Sequence, residues 1–97
     1  MAEKNIAQRS KSLAELFAIP RTWNRASYAK NIAGCGVEPT SMDACSFCLA
    51  GALQCIYPGN SWVRDKLIDT IGQIPPWNDH PLRTQDEVHE LCVRLRI

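Results

Sequence analysis

The sequence predicts a single, mainly α domain of about four helices around a buried central helix. The chain has 97 residues, of which 45% are apolar and 22% are charged, a size and composition typical of one globular domain. Residues 41–57 are apolar on nearly every helical face, as in a buried helix. Capping boxes at Ser12-x-x-Glu15 and Thr84-x-x-Glu87 predict the starts of two further helices.

The N-terminal segment is expected to be helical within residues 1–19, with residues 1–5 fraying. Whether Asn5 starts an earlier turn that carries Ile6 stays open. Pro20 ends it, because a proline disfavours helical backbone in the residue before it. A hairpin is then expected near residues 27–38, with Ser27–Asn31 and Cys35–Glu38 as its strands. The glycines of the Ala33-Gly-Cys-Gly36 turn permit positive φ.

The central helix is expected over Thr40–Tyr57, with Thr40 or Ser41 as its N-cap. Gly51 in a helix interior costs about 1 kcal/mol relative to alanine. It therefore predicts that a neighbouring backbone approaches the helix closely at this point. One face of this helix carries apolar residues at helical spacing, namely Met42, Cys45, Leu49, Leu53 and Ile56.

Two more helices complete the predicted fold. The third begins at Asn60 or Ser61 and ends near Ile71, before Gly72. The last begins at Thr84 and carries an apolar face of Val88, Leu91, Cys92 and Leu95. Between them, residues 74–81 contain three prolines and are expected to form a rigid loop without a helix.

Charge and cysteine content limit the classes of function. The net charge is +1, although residues 1–30 contain six basic and two acidic residues while residues 31–97 contain five basic and eight acidic ones. Without a basic run or an interleaved aromatic platform, nucleic-acid binding is not expected. Five cysteines without a visible signal peptide favour a cytoplasmic protein with free thiols. No membrane partner or cofactor is expected, and self-association stays open.

The cysteines allow two kinds of chemistry as alternatives to packing. Cys45 and Cys48 have the spacing of a thiol redox pair or of half a zinc site, although a second ligand pair is missing. Cys48 with His80 and Asp79 would supply a nucleophile, a base and an orienting acid. The apolar surroundings of Cys48 favour a packing role, because they raise the pKa of a thiol.

The segment from Trp77 to Arg83 carries the candidate binding residues. A rigid loop that presents a tryptophan, a histidine and an arginine has the composition of an interaction hot spot. A pocket for a small molecule or nucleotide between the hairpin and this loop is a further alternative. The candidate binding residues are Trp77, Asn78, Asp79, His80 and Arg83, together with Arg21 and Arg25.

Several segments in order resemble an uncharacterised family of small bacterial and phage proteins. They are Trp23-Asn-Arg-Ala-Ser-Tyr-Ala29, Gly36-Val37, Ala44-Cys-Ser-Phe-Cys-Leu-Ala-Gly-Ala-Leu53, Trp77-Asn-Asp79 and Arg83-Thr-x-x-Glu-Val88. The pattern requires no histidine where His80 stands, which weakens the Cys-His hypothesis. Residues that match the pattern are Cys48, Gly51, Ala52, Asn78, Asp79, Arg83, Thr84, Glu87 and Val88.

The resemblance implies a small, free-standing cytoplasmic protein, often encoded by a phage or prophage. We therefore expect a non-enzymatic protein-interaction module, such as an inhibitor of a host defence system of the anti-CRISPR kind. Its partner would be a host or phage protein. The two alternatives that remain are a thiol-dependent enzyme or zinc site at Cys45 and Cys48, and a small-molecule or nucleotide binder.

Overall fold

The structure is a computed structural model that describes residues 4–97. Most of its regular secondary structure is helical. This confirms the mainly α fold with a short antiparallel strand pair. No helix in residues 4–97 has the length and apolar character needed to cross a membrane. The elements in chain order are α1 (Ile6–Arg9), α2 (Leu13–Phe17), β1 (Ala29–Lys30), β2 (Ser46–Phe47), α3 (Leu49–Ile56), α4 (Ser61–Ile71), α5 (Ile74–Asn78) and α6 (Gln85–Leu95).

The N-terminal segment forms two short helices, and the earlier turn at Asn5 that the sequence left open is the first of them. Ser12 caps α2 as predicted, since its hydroxyl accepts a hydrogen bond from the amide of Glu15 at 3.0 Å. The predicted capping box at Ser12 is incomplete, because the Glu15 carboxylate accepts from the amide of Lys11. Asn5 forms a complete capping box with Gln8 at the start of α1. The expected fraying of residues 1–3 lies outside the described residues. Asn5, in contrast, is buried and its amide donates to the carbonyls of Pro39 and Ser41.

The predicted hairpin turn forms, but residues 35–38 do not form its second strand. The amide of Val37 donates to Ala29 at 3.0 Å, and Lys30 forms an isolated antiparallel bridge with Gly36. The regular partner of β1 is β2, with Ala29 opposite Phe47. Residues 35–38 therefore add one bridge to the pair rather than a strand.

The central helix is half as long as predicted. It begins at Leu49, with Cys48 as its N-cap, so Thr40 and Ser41 are not its cap residues. Residues 46–47 are extended because the amide of Phe47 donates to Thr22 at 2.7 Å and its side chain is fully buried. Tertiary pairing thus overrides the helical periodicity of this segment. Met42, predicted on the buried face, is 61% exposed.

The close approach predicted at Gly51 is confirmed. A Cβ atom on Gly51 would lie 1.9 Å from the carbonyl oxygen of Tyr28. The missing side chain therefore lets α3 pack directly against the backbone that leads into β1. The core around it comprises the buried apolar side chains of every helix and both strands, including Leu13, Phe17, Phe47, Leu49, Leu67, Val88 and Leu91.

Residues 74–78, predicted as a loop, form the five-residue helix α5. Its two prolines, Pro75 and Pro76, lie in the first turn, where backbone amides have no intrahelical acceptor. A proline there therefore removes no intrahelical hydrogen bond. The neighbouring helices match their predictions. Asn60 caps α4, Gly72 ends it with φ of 77°, and Thr84 and Glu87 form the capping box of α6.

Candidate functional site

Asn78, at the end of α5, joins its own segment to two others, residues 23–24 and the start of α3. Its carbonyl oxygen accepts from the indole nitrogen of Trp23 at 2.7 Å and from the amide of Leu49 at 3.0 Å. Its amide nitrogen donates to the carbonyl of Asn24 at 3.2 Å and to the carboxylate of Asp79 at 2.9 Å. The side chain is 1% exposed and uses all four hydrogen-bonding positions. Asn78 therefore positions its neighbours and does not present a contact surface.

Asp79 extends this network towards solvent. Its Oδ1 accepts from the side chain of Asn78 and from the amide of Ala26 at 2.9 Å. Ala26 has a φ of 66°, so the carboxylate holds a left-handed turn in place. No described residue donates a hydrogen bond to Oδ2 of Asp79, which is an exposed residue. One carboxylate oxygen is thus fixed, and the other is free for an outside group.

Arg25, in the segment after α2, forms hydrogen bonds with the loop after α5. Its guanidinium donates to the carbonyl of His80 at 3.1 Å and to the carbonyl of Arg83. It also lies 5.0 Å from the ring centroid of Trp23, a cation–π distance. Three predicted binding residues, Arg25, His80 and Arg83, therefore meet here, and two of them contribute only backbone atoms.

Trp77 and Arg83 pack on each other. The guanidinium of Arg83 lies 3.8 Å from the centroid of the Trp77 ring and donates to the Trp77 carbonyl at 3.0 Å. It also pairs with Glu87 at 3.0 Å. His80 is exposed, and its Nδ1 accepts from the amide of Leu82. Most polar atoms of the predicted hot spot are therefore engaged within the fold.

A cavity of about 240 Å³, here called the Asp79 cavity, opens beside this network. It lies between the 26–28 segment and α5, which is where the sequence placed a small-molecule pocket. Cys48 and Asp79 both line it, whereas His80 does not. The lining residues are Ala26, Ser27, Tyr28, Cys48, Ala50, Ile74, Pro75, Asn78 and Asp79.

The thiol of Cys48 caps α3 and is poorly suited to act as a nucleophile. Its sulfur accepts from the amide of Gly51 at 3.3 Å. Burial raises the pKa of Cys48, and the charge of Asp79 adds to this effect, while the hydrogen bonds from Gly51 and Ala50 oppose it. The net result is a thiol that stays protonated at neutral pH, whereas nucleophilic attack needs the thiolate.

The cysteine pair does not share one helix end as predicted. Cys45 precedes β2 and its thiol donates to the carbonyl of Lys30, while Cys48 lies beyond β2 at the start of α3. Within residues 4–97 no group of three or more metal-binding side chains is close enough to hold an ion. Burial raises the pKa of Cys55 to about 11 and that of Cys92 to about 12.

Arg21 lies apart from the other candidates, in an open groove of about 750 Å³. We call this surface the basic groove. Its lining residues come from the segments 4–9, 19–22, 30–34 and 42–46. No aspartate or glutamate is among the described lining residues, although the exposed Asp43 lies between two of them in sequence. The rim of the groove exposes the apolar side chains of Ile32, at 96%, and Met42, at 61%. The basic residues that line it are Lys4, Arg9, Arg21 and Lys30.

A model of DUF6197, a family of unknown function, matches residues 1–95. The chain belongs to this family. The match confirms the resemblance to an uncharacterised family, and the Asp79 cavity and the basic groove of this DUF6197 chain both lie within the matched range. No curated protein and no solved structure matches the chain.

Sequence reasoning missed most of the basic groove. Lys30, Ile32 and Met42 were assigned to a hairpin and a buried helix, so their exposure was not anticipated. One signal was available, namely the excess of basic over acidic residues in the first 30 positions. The fold concentrates four of those six basic residues on one surface.

Proposed function

We propose that the protein is a non-enzymatic protein-interaction module that binds an acidic, amphipathic segment of a partner protein in the basic groove. The observation that carries this proposal is the combination of four basic side chains with exposed apolar side chains in one groove, without an acidic residue among its described lining. Such a surface complements a segment that alternates acidic and apolar residues.

The basic side chains of the groove are available to a partner. Arg83–Glu87 is the one ion pair among the described residues, so Lys4, Arg9, Arg21 and Lys30 pair with no described carboxylate. Unpaired charges of one sign raise the local concentration of an oppositely charged ligand and speed its association. Their contribution falls as salt is added, which provides a simple diagnostic.

The apolar rim can add hydrophobic contacts to the electrostatic attraction of the groove. Ile32 is 96% exposed, and Met42 and Ile19 are 61% and 39% exposed, so these side chains contribute little to the core of the free domain. Removing apolar surface from water contributes about 25 cal/mol per Å². An isolated exposed apolar side chain is ordinary, but three of them around one groove favour a protein ligand.

The walls of the groove are held in place by buried hydrogen bonds. The side chain of Asn5 donates to Pro39 at 2.7 Å and to Ser41 at 2.8 Å, which ties α1 to the segment that carries Met42. Thr22 donates to the carbonyls of Leu16 and Ile19. A groove with fixed walls loses less conformational entropy when it binds a ligand.

Nucleic acid is the competing occupant for a basic surface. Single-stranded nucleic acid is usually bound by aromatic side chains that stack on the bases beside a basic track. The described lining of the groove contains no aromatic residue, whereas it does expose aliphatic ones. This composition favours an acidic peptide, and the experiment below includes an oligonucleotide.

The test measures fluorescence anisotropy of a labelled peptide of alternating Glu and Leu residues. Reversing two groove charges, Arg21→Glu with Lys30→Glu, should weaken binding about 5- to 30-fold, because two attractions worth roughly 0.5–1 kcal/mol each are lost. The matched control reverses two exposed charges elsewhere, Arg64→Glu with Arg94→Glu. Equal weakening in both double variants would show that net charge alone is responsible and would contradict the proposal.

A second variant pair tests the apolar rim. Ile32→Ser with Met42→Ser should weaken the peptide about tenfold, whereas Leu82→Ser with Val93→Ser removes similarly exposed apolar side chains outside the groove and should have little effect. A polythymidine oligonucleotide that binds the wild type more tightly than the peptide would overturn the assignment of a protein partner.

The finer proposal concerns the partner's identity and rests on the resemblance to small bacterial and phage proteins. We propose that the partner is a component of a host defence system. The protein, expressed in a strain with active CRISPR immunity, should raise the plating efficiency of a targeted phage, and the Arg21→Glu, Lys30→Glu variant should not. Unchanged plating with the wild type would eliminate this proposal and leave the peptide-binding result standing.

A further inference from the structure

The Asp79 cavity carries a second inference, independent of the basic groove. We propose that it binds a small organic cation, in which a primary ammonium group is attached to a short apolar body. Three observations support it, namely one free carboxylate oxygen on a lining residue, the apolar walls of the cavity and the size of the cavity.

The charge in the cavity is of one sign. Asp79 is the one acidic side chain among the described lining residues, and no lysine or arginine lines the cavity. Neither of the two arginines that flank this network pairs with Asp79, because Arg25 donates to the carbonyls of His80 and Arg83 and Arg83 pairs with Glu87. The free Oδ2 of Asp79 is therefore available for a charge-assisted hydrogen bond from an ammonium group.

The carboxylate is held in a fixed position. Asn78 and Ala26 both donate to its Oδ1 at 2.9 Å, and Asn78 is itself fixed by Trp23 and Leu49. A preorganised acceptor does not need to be ordered when the ligand binds. The network that sequence analysis treated as an interaction surface thus serves to orient one carboxylate.

The other walls are neutral and largely apolar. Ile74, Pro75 and Ala50 supply aliphatic surface, and the half-exposed ring of Tyr28 lies at the cavity as well. The hydroxyl of Ser27 makes no hydrogen bond with a described residue. A volume of about 240 Å³ is below the range of drug-sized ligand pockets. The cavity therefore suits a compact amine better than a nucleotide.

The probe is benzylamine, titrated into the ¹⁵N-labelled full chain and followed by NMR. Saturable shifts at the amides of Ser27 and Ala50 are expected, with a dissociation constant on the order of 1 mM for so small a ligand. Benzyl alcohol, its neutral counterpart, should bind at least about tenfold more weakly, because it forms no charge-assisted bond. The absence of saturable shifts with benzylamine would overturn the proposal.

Two variants distinguish the contribution of the Asp79 charge from that of the shape of the cavity. Asp79→Asn retains an oxygen that accepts from Ala26 and Asn78 but removes the charge, so it should keep the fold and weaken benzylamine about tenfold. Ala50→Leu should fill the cavity and abolish the shifts at Ser27. The control is Asp65→Asn on α4, which removes an exposed charge outside the cavity. Wild-type affinity in either cavity variant would refute the assigned site.

The same ammonium chemistry occurs in free amines and in lysine side chains of proteins. A parallel titration with Nα-acetyl-lysine methylamide distinguishes these sources, since it carries a peptide-like backbone that benzylamine lacks. Tighter binding of either compound supports the ammonium site, and the tighter one identifies the source. If benzoate binds as well as benzylamine does, the cavity selects only for apolar shape and the proposal fails.

Discussion

Replacing Gly51 with alanine tests the packing on which both surfaces depend. The Cβ atom would lie 1.9 Å from the carbonyl oxygen of Tyr28 and 2.7 Å from its carbonyl carbon. Ordinary van der Waals contacts begin near 3.4 Å, so α3 and the Tyr28 backbone must separate by about 1.5 Å. Backbone atoms cannot rotate out of the way as a flexible side chain can.

The expected magnitude follows from two opposing effects. Alanine in a helix interior is favoured over glycine by about 1 kcal/mol. Overpacking of a core commonly costs about 1–3 kcal/mol, and a clash with a backbone belongs to the upper end of that range or beyond it. The separation would also break the hydrogen bond from the amide of Cys48 to Tyr28. We therefore expect Gly51→Ala to lower the free energy of unfolding by about 2 kcal/mol or more.

The assay is urea unfolding followed by tryptophan fluorescence and by circular dichroism. A loss of this size should lower the denaturation midpoint by roughly 1 M. The matched control is Gly36→Ala, because a Cβ atom there would meet nothing closer than the Ser27 hydroxyl at 3.9 Å. It should change the stability by less than about 0.5 kcal/mol. A Gly51→Ala variant as stable as the wild type would refute the close approach of α3 to Tyr28.

Two further predictions concern polar groups inside the fold. Asn78→Ala should lower the free energy of unfolding by about 2–4 kcal/mol, because it leaves the buried amide of Leu49 and the partly buried indole of Trp23 without their acceptor. Asn31→Ala, which removes two exposed hydrogen bonds, should cost under about 1 kcal/mol in the same urea assay, and similar losses in both variants would contradict this account. Stability should also fall above pH 9, because the unfolded chain releases thiol protons that the folded chain retains up to a pKa of about 12 at Cys92 and about 11 at Cys55. The loss from pH 8 to pH 10 should be roughly 1–2 kcal/mol and come chiefly from Cys92, because solvent screens the partly exposed Cys55. This loss should shrink in Cys92→Ala but not in Cys35→Ser, and a stability that is constant over this range would contradict the account.

The helix termini show how far local sequence determines this fold. Residue type and spacing predict Ser12 and Thr84 as N-caps and offer Asn60 as one of two candidates, and each of the three accepts a capping hydrogen bond. These interactions join atoms within three residues of each other, so a short sequence pattern contains all the information they need. The close approach at Gly51 was predictable for a related reason, because a glycine in a helix needs a compensating contact.

The two surfaces required the tertiary structure. The segment 44–57 has helical periodicity, yet residues 46–47 are extended. Phe47 pairs with Ala29 in the strand pair, and the amide of Phe47 donates to the carbonyl of Thr22. That change shortens α3 and exposes Met42 in the basic groove. Asn78 was recognised in sequence, but its role depends on partners 29 to 55 residues away. Capping is a local interaction, whereas the groove and the cavity arise from contacts between distant segments, and for that reason only the folded chain determines them.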